Sequence, residues 1–214
     1  MKKKNHIIIS LLVVIIGVTL TSQVYISKAN VSNTYSNTKK LQSTLAQKII
    51  RFHVIADNDT DESQQLKMKV KNETLKYMKT LLTGTEDLST TRDILENNLE
   101  NIKNFALDVV EKEGYEYNVS AEFENCYFPI KEYGSLIFPA GYYDALKIKL
   151  GKAEGRNWWC VMYPNLCFVE GSYAVVNDEV KETLEGMLTP DEYHMLLQGN
   201  NTKISFKYLK FLNN

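Results

Sequence analysis

Ile49-Ile50-Arg51-Phe52-His53-Val54-Ile55-Ala56, followed at once by Asp57-Asn58-Asp59-Thr60-Asp61, is the stretch from which the rest of the chain is read. Ile49, Arg51, His53 and Ile55 fall on one side of an alternating, β-branched run and Ile50, Phe52 and Val54 on the other, which predicts a strand. The acidic turn ends it. A helix is expected from there to about Leu82, because Leu66, Val70, Tyr77, Met78 and Leu81 recur at helical spacing and Gly84 follows as a stop. A second stripe, Ile94, Leu95, Leu99, Ile102, Phe105, Ala106 and Val109, predicts another helix from about Thr90 to Glu113, closed by Gly114. Each helix has one apolar face, so both should pack on a common sheet.

Downstream the period changes. Tyr115, Tyr117, Val119, Ala121 and Phe123 alternate with polar neighbours, as do Asp144 to Leu150 and Trp158 to Tyr163, with Gly151, Gly155 and Pro164 at the boundaries. Three such runs suggest an antiparallel meander. Asp178 to Leu188 and Pro190 to Gln198 read as short helices, the second with Thr189 as cap and Pro190 in its first turn. Ile204 to Leu212 fits strand or helix equally. The expected fold is α+β, a mixed and largely antiparallel sheet with helices packed on one face, in a single extracytoplasmic domain over residues 48–214.

Upstream the chain has a different character. The 214 residues balance 25 basic against 26 acidic side chains, but the first 56 carry eight cations and no anion, and the remainder 17 cations against 26 anions. Lys2, Lys3 and Lys4 precede an uncharged apolar run from Ile7 to Leu20, the layout of an export signal, and Ser27-Lys28-Ala29 offers a cleavage site. Residues 1–29 are therefore read as a signal peptide or, if the span extends to Ile26, as an N-terminal membrane anchor. A buried core helix is the third reading of the same run. Residues 30–47 read as a polar spacer, with a short helix near Leu41 and Leu45. The net charge of −1 argues against phosphate-driven nucleic-acid binding, and membrane contact is expected only through the N-terminal segment.

Arg51 and His53, with Asp57 and Asp59 just beyond, form either a satisfied polar row, a protein-contact patch, or half of an acid–base site that lacks a nucleophile. The D-x-D-x-D spacing fails as an EF-hand, since its sixth position is Glu62 and its twelfth Met68, so helix capping is the simpler account. Neither a metal nor a cofactor is called for. Asn157-Trp158-Trp159 puts adjacent indoles on opposite sides of a strand, where one is either an exposed partner anchor or buried under a second layer. Cys160 and Cys167 would oppose each other across a four-residue hairpin loop, as a disulfide contributing about 2–3 kcal/mol, as two buried free thiols, or with one of them as a nucleophile. Cys126 has no obvious mate.

Three motifs carry a family resemblance: Ile50-Arg51-Phe52-His53-Val54-Ile55-Ala56 with Leu66-Lys67-Met68-Lys69-Val70-Lys71; Phe128-Pro129-Ile130-Lys131-Glu132-Tyr133-Gly134 with Phe138-Pro139-Ala140-Gly141-Tyr142-Tyr143-Asp144-Ala145-Leu146; and Gly155-Arg156-Asn157-Trp158-Trp159-Cys160-Val161-Met162-Tyr163-Pro164-Asn165-Leu166-Cys167-Phe168. Over about residues 48–170 the chain resembles the stage II sporulation protein R family of endospore-forming bacteria. Asn165 stands where that pattern has a second proline, Ile130 where it has threonine, and Cys126 is an addition. The resemblance implies a signal made in the forespore and exported into the intermembrane space. There it activates a membrane-embedded aspartic protease of the mother cell, which cleaves the sigma-E precursor. It assigns no catalytic residue. The competing expectation is an exported hydrolase acting on a cell-wall or peptide substrate, using His53 and an Asp of the following turn.

Overall fold

The computed structural model describes residues 18, 19, 21, 33–85, 87–168 and 176–198. The export segment over residues 1–29 and the ambiguous run from Ile204 to Leu212 lie essentially outside these. The chain divides into two compact units, Met1–Lys40 and Leu41–Asn214. Residues 33–46 are helical (α1), and no helix among the described residues is long and apolar enough to cross a membrane. The larger unit begins at Leu41 rather than at 48. Leu41 and Leu45, one helical turn apart, are both buried in it, and Gln42 donates to the Tyr142 carbonyl at 2.8 Å.

The fold class is α+β as expected. Strand β1 (Ile50–Ile55) is followed by helices α2 (Asp61–Leu81), α3 (Leu88–Asn97) and α4 (Leu99–Lys112). Strands β2 (Val119–Phe128), β3 (Lys131–Tyr133), β4 (Leu136–Phe138), β5 (Gly141–Leu150) and β6 (Asn157–Tyr163) come next, and α5 (Asp178–Met187) and α6 (Pro190–Gln198) complete the elements. The single expected helix over 90–113 is two. Asn98 sits between them at φ −110°, ψ 11°, its side chain donating to the Ile94 carbonyl at 2.8 Å, so an amide side chain competes with the helical ladder and breaks it.

The sheet corrects the meander. Its order is β2-β5-β1-β6: β2–β5 and β1–β6 are antiparallel, but β1 runs parallel to β5. The first strand in the chain is thus inserted between the last two. Its Ile50, Phe52 and Val54 join Leu146, Ile148 and Trp158 in a core closed by Leu66, Val70 and Met78 of α2 and Ile102 and Ala106 of α4. The opposite face is covered over part of its length by a hairpin of β3 and β4, by α5 and α6, and by the end of α1, around Phe128, Phe138, Tyr143, Leu184 and Leu196. The hairpin turns through Gly134-Ser135, with Gly134 at φ 54°, a value that L side chains resist. At α6 the Glu192 carboxylate accepts from the Thr189 amide at 3.0 Å, a capping box, and also takes the Thr44 hydroxyl at 2.8 Å.

The turn after β1 is a clamp. Asp57 Oδ1 accepts the Lys152 amide at 2.7 Å, Asp59 Oδ1 the Arg156 amide at 2.6 Å, and the Ala56 carbonyl the Gly155 amide at 3.0 Å, which fixes the β5–β6 loop against the end of β1. A Cβ at Gly155 would collide with the Asn58 carbonyl oxygen. Gly155→Ala is expected to lower the urea midpoint by an amount equivalent to about 1–3 kcal/mol, against little change for Gly186→Ala, where open space surrounds the added methyl.

Candidate protein-contact face

On the face opposite α2 and α4 the strand registers align side chains in rows across all four strands. One row is Glu124, Ala145, Arg51 and Val161; the next is Glu122, Lys147, His53 and Trp159; the third is Ser120, Lys149, Ile55 and Asn157. In the first row Ala145, Arg51 and Val161 are buried on the side of the β3–β4 hairpin, while Glu124 stays partly exposed. In the other two every residue except His53 is half-exposed.

Arg51 and His53 are not a surface row. They are 0% and 4% exposed, because β1 is a central strand with a second layer above it. The Arg51 guanidinium lies 4.4 Å from the Phe128 ring centroid and 5.2 and 5.3 Å from those of Tyr143 and Phe138, with Nε donating to the Cys160 carbonyl at 3.0 Å. Among the described residues no carboxylate pairs with it, and Nη1 has no hydrogen-bond partner there. Desolvation lowers the Arg51 pKa.

The His53 ring stacks on Trp159 at 4.9 Å and 6°, and meets Phe128 at 5.2 Å. Burial, reinforced by Lys147 and Arg51, drives its pKa down to about 3, so the imidazole is neutral. Cys126 Sγ lies 3.6 Å from His53 Nε2, and burial, reinforced by Glu124, pushes its thiol up to about 11. Both partners are held uncharged, the reverse of the thiolate–imidazolium pair that activates a nucleophile. Asp57 and Asp59 do not come to His53 but hold the β5–β6 loop.

The adjacent tryptophans separate as alternation requires. Trp158 is buried in the first core, edge-on to Phe52 at 5.6 Å with Lys71 Nζ 4.9 Å from its ring. Trp159 is half-exposed, with Lys131 Nζ 5.7 Å from its ring, and Asn157 lies one row further along. Beside them Lys147 bridges Glu122 at 3.2 Å and Glu124 more closely, while Lys149 reaches Glu122 at 2.7 Å. Nothing in the sequence read by itself signals this ladder; the i, i+2 spacings of Glu122/Glu124 and Lys147/Lys149 become meaningful only once the β2–β5 register is known. Cys160 and Cys167 are disulfide-bonded with Cα atoms 5.8 Å apart. The bridge does not cross a hairpin, since a 3-10 turn over Leu166–Phe168 carries Cys167 back to the end of β6. Cys126 is the free cysteine.

A family profile described as stage II sporulation protein R matches residues 46–173, from the last residue of α1 to just past the 3-10 turn. The chain belongs to the stage II sporulation protein R family. Stage II sporulation protein R of Bacillus subtilis (strain 168) is 38% identical over 135 residues, which cover 62% of this chain and 60% of that relative. No solved structure matches. Membership in the stage II sporulation protein R family carries with it a role in sporulation. The profile takes in every strand among the described residues, the disulfide and the half-exposed rows around Trp159, and stops before α5.

The depressed His53 pKa has a definite sign in stability. Between about pH 6.5 and pH 3 the unfolded chain binds a proton at His53 that the folded chain refuses, so the contribution is complete above pH 6.5 and is lost as pH falls. Urea titrations should show the wild type losing up to about 1.4 kcal/mol per pH unit through this group between pH 6 and 4, a component absent in His53→Phe.

Proposed function

We propose that this chain is a secreted signalling protein of sporulation that activates a membrane-embedded aspartic protease, which then cleaves the sigma-E precursor in the mother cell. The observation that carries the reading is the family match across the whole sheet, including the Gly155–Phe168 motif that forms β6 and its disulfide. The place of action is the intermembrane space, reached across the forespore membrane by the Lys2–Leu20 segment, either cleaved or retained as an anchor.

Activation by binding requires a preference between states. A partner that grips active and inactive protease equally shifts nothing, and turning a mostly inactive population into a mostly active one takes a preference of roughly 10⁴-fold. The half-exposed rows suit that task, with Trp159 as a flat aromatic anchor and Asn157, Lys131, Lys147 and Glu122 as polar groups around it. Arg51 and His53 serve from beneath, packing against Phe128 and, for His53, against Trp159 itself. Trp158 packs in the core between α2 and the sheet.

The alternative, an exported hydrolase, needs His53 and a neighbouring aspartate to act together on a substrate. With His53 4% exposed and Asp57 and Asp59 committed to the β5–β6 loop, that pair is not assembled.

Coexpression of the protease and the sigma-E precursor in a non-sporulating host, with and without this chain, is the direct test. Processing should depend on the chain, fall at least about tenfold with Trp159→Ala, and persist with His53→Phe. Equal processing in the absence of the chain refutes the signalling role, while loss with His53→Phe in a folded protein returns the hydrolase to contention.

A further inference from the structure

Strand β2 ends the sheet order, so one of its backbone edges has no ladder partner among the described residues. Alternate residues of such a strand direct N–H and C=O groups away from the sheet. Soluble proteins normally blunt an edge with shortness, a bulge, a proline or charged side chains, lysine above all. Strand β2 has no bulge, proline or lysine, and the charges it carries are Glu122 and Glu124. It is ten residues long, reads VSAEFENCYF, and keeps an unbroken register with β5 from Val119↔Leu150 to Phe128↔Gly141.

Its two faces carry different chemistry. Toward α4 stand Val119, Ala121 and Phe123, half-buried against the core, and then Tyr127, 54% exposed and edge-on to Tyr142 (61% exposed) at 5.7 Å, with Ile130 (61% exposed) just beyond the strand. On the other face Glu122 and Glu124 are the outermost charges, their side chains 36% and 41% exposed, with Lys147 and Lys149 behind them on β5. A second copy of β2, added antiparallel about Phe123, would set Glu122 against Glu124 and Glu124 against Glu122, and like charges directly opposite repel. The edge therefore disfavours its own copy and favours a strand of opposite charge.

We propose that β2 accepts an extended segment of another protein as a fifth strand, one with Lys or Arg at alternate positions opposite Glu122 and Glu124 and apolar side chains between them, beside Phe123 and Tyr127. Main-chain hydrogen bonds supply the attachment and the two glutamates set the register, since a one-residue slip would turn the cations toward Phe123. The β2 site shares Glu122 with the Trp159 row but rests on the backbone edge of β2, so protection of β2 amides is read separately from precursor processing.

The probe is a fluorescent decapeptide of alternating lysine and valine, added to the full chain and followed by polarisation and by amide hydrogen exchange. Alternate β2 amides should exchange freely in the free chain and become protected with peptide. N-methylating the peptide along the edge that faces β2 should abolish binding, and exchanging its lysines for glutamates should weaken binding at least about tenfold. The double variant Glu122→Gln, Glu124→Gln should still protect its β2 amides but lose the preference for lysine. Four results overturn the proposal: outward β2 amides already protected in the monomer, a concentration-dependent dimer that protects them, peptide binding that leaves β2 unprotected, or equal affinity for the glutamate peptide.

Discussion

The arrangement turns on a buried cation. Arg51 projects from β1 and touches every other strand: the Cys160 carbonyl of β6, the Tyr133 hydroxyl of β3, and the rings of Phe128 on β2, Phe138 on β4 and Tyr143 on β5. Taking a guanidinium out of water costs several kcal/mol, and among the described residues no carboxylate offsets it. Aromatic faces do so instead, each worth about 2 kcal/mol when desolvated, together with the two hydrogen bonds. The two-stranded hairpin and the four-stranded sheet share no ladder; this side chain and the Tyr133 hydroxyl, which donates to the Trp159 carbonyl at 3.1 Å, are among the groups that join them.

The same arrangement separates what could be read in the sequence from what could not. Alternation put Arg51 and His53 on one side of β1 and Phe52 and Val54 on the other, and the structure keeps that division. Whether a strand is central or at an edge is not a local property. It depends on Arg51 meeting both Ala145 and Val161, far along the chain, and without that information a row of charged residues looks like a surface. Helices α2, α5 and α6 were legible because their signals are local, while Asn98 shows how one amide divides a stripe whose apolar spacing is otherwise continuous. Three-residue strands such as β3 and β4 are too short to carry a period. Two cysteines seven apart suggested a bridge across a hairpin or two free thiols, and the 3-10 turn that gives this stretch its shape leaves no apolar pattern to read.

The candidate face follows the same logic. Tryptophan alternation said that one of Trp158 and Trp159 would be buried; only the register shows that Trp159 faces the charged rows and that a neutral imidazole backs it. His53 looks catalytic when read by residue type and structural when read by environment. Desolvation and the neighbouring cations Lys147, Arg51 and Lys149 remove its charge, and aromatic rings close over what would have been its approach. The acidic turn was likewise conspicuous for a local reason, yet its main contacts are to a loop a hundred residues away.

The place of β1 in the sheet also has a consequence in time. Residues 50–55 leave the ribosome long before either neighbour, since their partners lie at 145–149 and 157–163. At roughly 5–20 residues per second, the strand waits several seconds with Ile50, Phe52 and Val54 uncovered except by helices α2 to α4, whose apolar stripes emerge first. Once β5 emerges β1 can pair with it, and β6 is added last at the edge beside β1, so the four-stranded sheet closes only after about residue 163 has been made.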